Sequence, residues 1–272
     1  MKTIVGVIQM CSKSDLIENV NTATKYILEC SSKGANMIFL PECFACITTD
    51  IPAKPFSEYI DGPITNHFKD IAKNKNVWLS LGGFPLIQSN PTPYNSHIII
   101  NNSGEIASVY NKLHLFDIKL DEQNVHNESK KTTKGDIVPL PIKCPVGLLG
   151  LSICYDLRFP ELYRRHFKNG ATTLAIPAAF FKKTGEAHWD ILIRARAIEN
   201  QCFVISAAQA GPHSPTRSSY GHSMIVDPWG TVLAQLKDKE GFFVQEIDFE
   251  KQLILKNSMP VMQHIRNDLF SI

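Results

Sequence analysis

The 272-residue sequence lacks several features that would assign it to a familiar class. No stretch reaches the roughly 18 consecutive apolar residues of a transmembrane helix. The opening segment, MKTIVGVIQM, lacks the apolar run and small-residue cleavage site of a secretory signal. No Gly-x-x-x-x-Gly-Lys-Ser/Thr loop is present, which excludes that type of phosphate site. Without repeats or low-complexity linkers, we expect one domain over residues 1–272.

An excess of charge of one sign is also lacking. The chain has 28 Lys and Arg against 26 Asp and Glu, and the basic residues are scattered. This argues against nucleic acid as a partner, and the lack of apolar runs argues against a membrane. The 7 cysteines are odd in number and irregularly spaced. We therefore expect reduced thiols and a cytoplasmic location, with a mitochondrial form as an alternative.

The hydrophobic pattern alternates between strand-like and helical periods. Residues 2–10 predict a buried strand, residues 14–33 a helix capped by Ser14, and residues 37–40 a short strand. Residues 111–138 are polar without periodicity, which predicts a long functional loop. Together the elements predict an α/β (α+β) fold with more than two layers. The other predicted strands are 77–84, 97–100, 105–110, 147–154, 172–176, 202–208, 224–226, 231–236 and 242–247, and the other predicted helices are 65–74, 160–168 and 189–199.

Three chemically active side chains each follow a predicted strand: Glu42, Lys112 and Cys154. Taken singly, each has a structural explanation, as a solvated turn residue, a surface lysine or a buried cysteine. Their shared placement points to the rim of an α/β sheet, where ligands bind. A thiol that attacks an amide needs a base and a positive charge for the oxyanion. Cys154 would supply the thiol, Glu42 the base and Lys112 the positive charge.

Three motifs that contain these residues resemble those of the nitrilase (carbon–nitrogen hydrolase) superfamily, in the same order. They are Leu40-Pro-Glu-Cys-Phe44, Tyr110-Asn-Lys-Leu-His-Leu-Phe-Asp117 and Gly150-Leu-Ser-Ile-Cys-Tyr-Asp-Leu-Arg-Phe-Pro-Glu161. The resemblance covers nearly the whole chain. It implies a four-layer α-β-β-α sandwich that forms a homodimer or higher oligomer, usually through one helical face. It also implies a small-molecule amide substrate and no metal or cofactor.

The resemblance implies a role for each motif residue. Glu42 is the general base, Cys154 the nucleophile, and Lys112 with the backbone N–H of Tyr155 holds the oxyanion. Glu128 resembles a second glutamate that orients the lysine and the substrate. Burial is expected to bring the pKa of Glu42 near neutrality, and the cation is expected to lower the pKa of the thiol. Lys112 is expected to keep its charge beside the carboxylates.

Two later segments narrow the resemblance to one branch of the superfamily. Arg194-Ala-Arg-Ala-Ile-Glu-Asn-Gln201 and Ser219-Tyr-Gly-His-Ser-Met-Ile-Val-Asp-Pro-Trp-Gly230 resemble amidases that act on deaminated glutathione. An omega-amidase is the close alternative, and a catalytically silent binding protein of the same fold is the other. One departure is Glu186, which stands where the family commonly has proline.

Other residues are candidates for substrate binding. Arg158 could pair with a substrate carboxylate, or form a structural ion pair with Glu161 or Asp156. Gln209 and Arg217 follow a strand, where specificity loops often lie.

Cys43 and Cys46 form a Cys-x-x-Cys pair, which can be redox-active or bind zinc. The sequence has no second pair at zinc spacing, so packing beside Glu42 is the favoured interpretation.

Overall fold

The computed structural model describes residues 2–47, 56–119 and 125–270. The strands are β1 (Lys2–Gln9), β2 (Met37–Phe39), β3 (Trp78–Leu86), β4 (Tyr94–Ile100), β5 (Ile106–Asn111), β6 (Asp117–Lys119), β7 (Val125–Asn127), β8 (Ile142–Cys144), β9 (Gly147–Leu151), β10 (Thr173–Ala175), β11 (Phe203–Ser206), β12 (Ala210–Ser214), β13 (Arg217–Tyr220), β14 (Met224–Val226), β15 (Val232–Gln235) and β16 (Gly241–Asp248). The α-helices are α1 (Leu16–Ser32), α2 (Pro63–Lys75), α3 (Pro160–Lys168), α4 (Lys182–Asn200) and α5 (Phe249–Ser258).

Two six-stranded sheets have closely similar topologies. The first has the order β16-β1-β2-β3-β4-β5 and the second β15-β14-β11-β10-β9-β8. In each sheet three adjacent strands are parallel, namely β1-β2-β3 and β9-β10-β11, and the outer pairs are antiparallel. Parallel neighbours need crossover connections, and α1, α2, α3 and α4 supply them. The carboxyl ends of the parallel strands are therefore the place to look for a site.

The two faces of the first sheet contribute to different parts of the core. Alternation in β1 sends Val5 and Val7 toward the second sheet, while Ile8 packs with the buried faces of α1 and α2. The second sheet packs against Leu162 of α3 and Trp189 of α4. This arrangement is the predicted four-layer α-β-β-α sandwich. No helix within the three described ranges combines the length and apolarity that crossing a bilayer requires.

Most predicted elements are confirmed, and α3 and β14 have the predicted bounds. The predicted cap of α1 was wrong by one residue, because the Asp15 carboxylate, not Ser14, accepts the hydrogen bond from the Glu18 N–H. The predicted start of α4 was seven residues too late. Gly185 obscured the helical pattern, but a Cβ there would lie 2.3 Å from Cβ of Tyr220. The glycine permits close packing and does not end the helix.

The predicted loop over residues 111–138 is confirmed for most of its described residues and was wrong where short elements interrupt it. The hairpin of β6 and β7 lies within it, followed by a 3₁₀ turn at Glu128–Lys130. Three-residue strands are too short to show a period, which is why the pattern looked irregular. Residues 120–124 of this segment lie outside the described residues. Sequence reasoning also missed β8, β12, β13 and α5.

Candidate active site

The turn after β2 carries Glu42. Backbone hydrogen bonds hold this turn against β3, from Leu40 N–H to Ser80 O at 2.9 Å and from Cys43 N–H to Gly83 O at 2.7 Å. Gly82 makes the close approach possible, because a Cβ there would lie 2.5 Å from the Leu40 carbonyl oxygen. Because this turn is held against β3, the carboxylate of Glu42 lies at the carboxyl edge of the first sheet.

The turn after β9 carries Cys154. The strand ends at Leu151, three residues earlier than predicted, and a 3₁₀ turn follows at Cys154–Arg158. Cys154 has φ of 49°, a left-handed conformation that is uncommon outside glycine. Its N–H donates to the Pro177 carbonyl at 2.8 Å, which helps to hold this conformation. The sharp turn puts the thiol at the rim of the second sheet.

Asp156 joins the cysteine turn to the segment that carries Lys112. Its buried carboxylate accepts from the Ile153 N–H at 2.9 Å, the Tyr110 hydroxyl at 2.7 Å and the His114 N–H at 3.0 Å. Tyr110 and His114 flank Lys112 in the sequence. The carboxylate therefore couples the position of the thiol to that of the ammonium.

The structure brings Glu42, Lys112, Glu128 and Cys154 together. The Lys112 Nζ atom lies 2.9 Å from Glu42 Oε1 and 2.9 Å from Glu128 Oε2. The Cys154 thiol lies beside Glu42, whose carboxylate contributes to the rise of the thiol pKa. Relative exposure is 2% for Lys112, 4% for Glu42, 7% for Glu128 and 8% for Cys154. One cation is thus enclosed between two carboxylates beside a buried sulfur.

Asn95 is a member of this network that sequence reasoning missed. Its Nδ2 atom donates to Glu42 Oε1 at 2.9 Å and to Glu128 Oε1 at 3.2 Å. The Ala179 N–H donates to Glu42 Oε2 at 3.0 Å, so both oxygens of that carboxylate are held. The predicted strand began at residue 97, and no local signal marked the first residues of β4. Only the tertiary contact reveals Asn95.

The pKa shifts of Glu42 and Cys154 both differ in direction from the expectation. Burial raises the pKa of Glu42, but the charge of Lys112 and hydrogen bonds from Cys154 and Lys112 outweigh it and leave the pKa lowered. Burial and the neighbouring Glu42 hold the pKa of the Cys154 thiol well above its usual value, although Lys112 opposes them. The predictions of a near-neutral Glu42 and a lowered thiol pKa were therefore wrong. Burial alone would lower the pKa of Lys112, but Glu128 and Glu42 raise it well above normal, so its predicted charge is confirmed.

These directions define the resting state of the site. The proton lies on the Cys154 sulfur, Glu42 is a carboxylate and Lys112 is an ammonium. The thiol is neutral at rest and has the Glu42 carboxylate beside it as a base. Such a pair can form the nucleophile at the moment of attack.

An open cavity leads to this network. Tyr155 and Arg158 line it, as predicted for residues near a substrate. The Arg158 guanidinium bonds to His188 Nδ1 at 3.2 Å and lies 5.3 Å from the Phe180 ring centroid. The alternative ion pair with Asp156 or Glu161 does not form. Further lining residues are Cys43, Cys46, Tyr94, Asn95, Phe116, His126, Lys131, Thr184 and Arg217.

The substrate-binding prediction for Gln209 was wrong. Its side chain is fully buried and does not line the cavity. The Nε2 atom donates to the Glu42 carbonyl at 3.1 Å and to the Ser12 hydroxyl at 2.9 Å, and Oε1 accepts from the Ser12 N–H at 3.0 Å. Gln209 braces the backbone of the Glu42 turn from behind.

Cys43 and Cys46 lie in the cavity wall, and all seven cysteines are free. Burial raises the pKa of Cys43 to about 12 and that of Cys46 to about 11, so both thiols stay protonated near neutrality. Glu186 is exposed in the first turns of α4 and does not line the cavity. Within the part of the chain that the structure covers, no three His, Cys, Asp or Glu side chains are grouped to hold a metal ion.

Comparison with known proteins identifies the family. The sequence model for carbon-nitrogen hydrolases matches residues 4–252. The nitrilase and fragile histidine triad fusion protein NitFhit of Caenorhabditis elegans is 42% identical over 98% of this chain, which spans 62% of that protein. Its crystal structure superimposes with a TM-score of 0.91, covering 99% of this chain and 66% of that one.

Two further relatives carry the name deaminated glutathione amidase. The mouse protein is 41% identical over 98% of this chain and 84% of its own length. The protein of Dictyostelium discoideum is 43% identical over 98% of this chain and 95% of its own length. The resemblance to the nitrilase superfamily is confirmed, and the chain belongs to the carbon–nitrogen hydrolase family of amide-hydrolysing enzymes.

Proposed function

We propose that this chain hydrolyses deaminated glutathione to 2-oxoglutarate and cysteinylglycine through a thioester on Cys154. The observation that carries the proposal is the buried Lys112 ammonium between Glu42 and Glu128, beside the buried Cys154 thiol in the wall of the same cavity. The named function of the mouse and Dictyostelium relatives supports the choice of substrate. Removal of an aberrant metabolite would make this a metabolite-repair enzyme.

The proposed acylation step uses the resting protonation state. Glu42 removes the thiol proton as the sulfur attacks the amide carbon. The Lys112 ammonium and the Tyr155 N–H stabilise the oxygen that becomes negative. Glu42 then returns the proton to the nitrogen, the carbon–nitrogen bond breaks, and cysteinylglycine leaves. The acyl group remains on Cys154 as a thioester.

The proposed deacylation step uses the same carboxylate. Glu42 takes a proton from a water molecule, whose oxygen attacks the thioester carbon. The carbon–sulfur bond breaks, the proton passes to sulfur, and 2-oxoglutarate is released. Asn95 and the Ala179 N–H hold the carboxylate in place during both steps. Fixed donors of this kind avoid reorganisation during the reaction.

Glu128 is proposed to position Lys112 and not to transfer protons. Its Oε2 atom accepts from Lys112 and from the Phe116 N–H at 2.7 Å. Two carboxylates on one ammonium fix its location while keeping it charged.

The substrate assignment is tested by kinetics with purified protein. We expect a higher kcat/KM for deaminated glutathione than for 2-oxoglutaramate, the primary amide cut by an omega-amidase. The reverse preference would contradict the assignment and favour the omega-amidase. Intact-mass measurement during turnover should show a 2-oxoglutaryl adduct in the wild type and none in Cys154→Ala. Cys43→Ala is the matched control, because it removes another thiol of the same cavity.

Thiol reactivity separates an enzyme from a silent binding protein of the same fold. A small amide-like electrophile that enters the cavity should modify Cys154 faster than the other thiols, because Glu42 can remove the thiol proton as the sulfur attacks, although the resting thiol is neutral. Equal, slow labelling of Cys154 and the more exposed Cys11 would favour the silent interpretation.

We also propose that the chain is a single domain that forms a homodimer through α4. Ile191 is 68% exposed and Ile198, two turns later, 46%, and Trp229 is 69% exposed in the adjoining turn. Arg194 Nε donates to the Gly230 carbonyl at 2.9 Å and joins that turn to the helix. Trp229→Glu should give a monomer by light scattering, whereas Ile17→Glu, at an exposed position of α1, should not.

Free thiols support the proposal of a reducing, cytoplasmic location.

A further inference from the structure

The hairpin of β12 and β13 presents Arg217 to the cavity. A backbone hydrogen bond joins this hairpin to the cavity wall, because the Tyr220 N–H donates to the Phe180 carbonyl at 2.9 Å. His213 joins the hairpin to the rest of the molecule, with Nδ1 2.7 Å from the Ser12 carbonyl and Nε2 2.8 Å from the Ser219 hydroxyl. Arg217 is thus held on a braced hairpin at the cavity.

The guanidinium of Arg217 has unmet hydrogen-bonding capacity. It lies 5.6 Å from the centroid of the Phe181 ring, which supports one of its faces. Its Nε atom is buried and has no hydrogen-bond partner within residues 2–47, 56–119 and 125–270. Among the residues that the structure describes, no carboxylate forms an ion pair with it. Because arginine cannot release its proton, these donors need an acceptor, which can be water or an acceptor group of a molecule that enters the cavity.

Two other cations that line the cavity, Lys112 and Arg158, are already engaged. Lys112 is enclosed by Glu42 and Glu128. Arg158 is bonded to His188 and packs over aromatic rings. Arg217 differs in presenting a planar fork without a protein acceptor. That geometry matches a carboxylate, which can accept two parallel hydrogen bonds.

We propose that Arg217 binds a carboxylate of the amide substrate, away from the reacting carbonyl, and makes the cavity selective for anionic amides. The inference rests on the proposed function of the cavity as an amidase site and names the chemistry that selects its substrate. The carboxylate can belong to the acyl part or to the leaving amine, and deaminated glutathione carries one on each side. The Phe181 ring and the braced hairpin hold the fork in place before substrate arrives.

The test compares Arg217→Met and Arg217→Lys on substrates that differ by single carboxylates. The substrates are deaminated glutathione, its C-terminal amide, 2-oxoglutaramate, and butyramide as a carboxylate-free amide. Arg217→Met should lower kcat/KM for deaminated glutathione roughly 10- to 100-fold, mostly through KM, as expected for hydrogen bonds to a charged group. Arg217→Lys should recover part of this loss. Lys182→Met, at the start of α4 and outside the cavity, controls for the removal of nearby positive charge.

The pattern of losses identifies which carboxylate is bound. A loss with deaminated glutathione that vanishes with its C-terminal amide assigns Arg217 to the leaving amine. A loss that persists with the C-terminal amide and with 2-oxoglutaramate assigns it to the acyl part. An equal loss with butyramide, or no loss with any substrate, would overturn the proposal.

Equilibrium binding separates this inference from the proposed function. Titration calorimetry of 2-oxoglutarate and of cysteinylglycine with Cys154→Ala needs no turnover. One of the two products should bind at least tenfold more weakly to the Cys154→Ala, Arg217→Met double variant. If neither product binds differently to the two proteins, the inference fails even if the enzyme hydrolyses amides. If the wild type turns over no amide but the binding difference remains, the proposed function fails alone.

Discussion

Replacement of Lys112 by methionine tests the electrostatic core of the site most directly. Methionine fills a similar volume but leaves Glu42 and Glu128 buried without their shared cation. The Lys112 side chain is 2% exposed, and those of its partners are 5% and 10% exposed. Removing one partner of a buried pair typically costs about 3–5 kcal/mol, because a charge is left uncompensated. At about 2–4 °C per kcal/mol for a chain of this size, the melting temperature should fall by roughly 6–20 °C.

The stability loss of Lys112→Met should depend on pH, and the pKa shifts fix the direction of that dependence. In the wild type the pKa of Glu42 is lowered, so its contribution to stability is present above the unfolded carboxyl pKa of about 4.3 and is lost as the pH falls through the folded value. In Lys112→Met the two carboxylates share a buried site, so the folded pKa of one of them rises. The folded variant then takes up a proton that the unfolded chain does not hold. The free energy of unfolding of Lys112→Met should therefore fall furthest below that of the wild type near pH 8, and the difference should shrink toward pH 5.5.

Urea denaturation at both pH values measures this effect, and kcat should fall about 10²- to 10³-fold if Lys112 also holds the oxyanion. Lys131→Met is the control, because Lys131 lines the same cavity and forms no ion pair with the described residues. Its free energy of unfolding should change by less than about 0.5 kcal/mol. Equal stability of Lys112→Met and wild type, or a deficit that grows on acidification, would refute the assigned charge balance.

Asp156→Asn should lower kcat more than it changes KM and should destabilise the fold by about 1–3 kcal/mol, because an amide cannot accept all the hydrogen bonds that the carboxylate receives. An unchanged kcat in a steady-state assay would show that activity does not need the Asp156 link between the Cys154 turn and the Lys112 segment. Gly82→Ala should displace the Leu40 backbone, since its Cβ would lie 2.5 Å from that carbonyl, and should reduce activity while circular dichroism still reports a folded protein; full activity would mean that the Glu42 turn is not held by this contact. Gln209→Leu leaves the buried Glu42 carbonyl without its side-chain donor, so the free energy of unfolding should fall by about 1–3 kcal/mol in urea titrations, and a stability equal to wild type would contradict the bracing role.

The strand ends that carry Glu42, Lys112 and Cys154 were accessible from the amino-acid sequence. Alternating periods of 2 and 3.6 residues reveal which segments are buried strands and which are helices. Polar residues directly after such strands then mark the rim of a sheet. The failures occurred where that signal is weak, as in the three-residue strands β6 and β7 and in α4, whose Gly185 packs on Tyr220.

The sequence by itself determined the layered α/β class, the family and which three side chains are proposed as nucleophile, base and cation, because local periodicity and motif order are properties of the chain alone. Tertiary structure decided that Asn95 joins the site, that Gln209 stands behind it and that Arg217 Nε finds no acceptor in the described part of the chain. It also decided the direction of the pKa shift of Glu42. That direction is a balance between desolvation and a cation 2.9 Å away, and such a distance depends on how two sheets pack rather than on neighbours in the sequence.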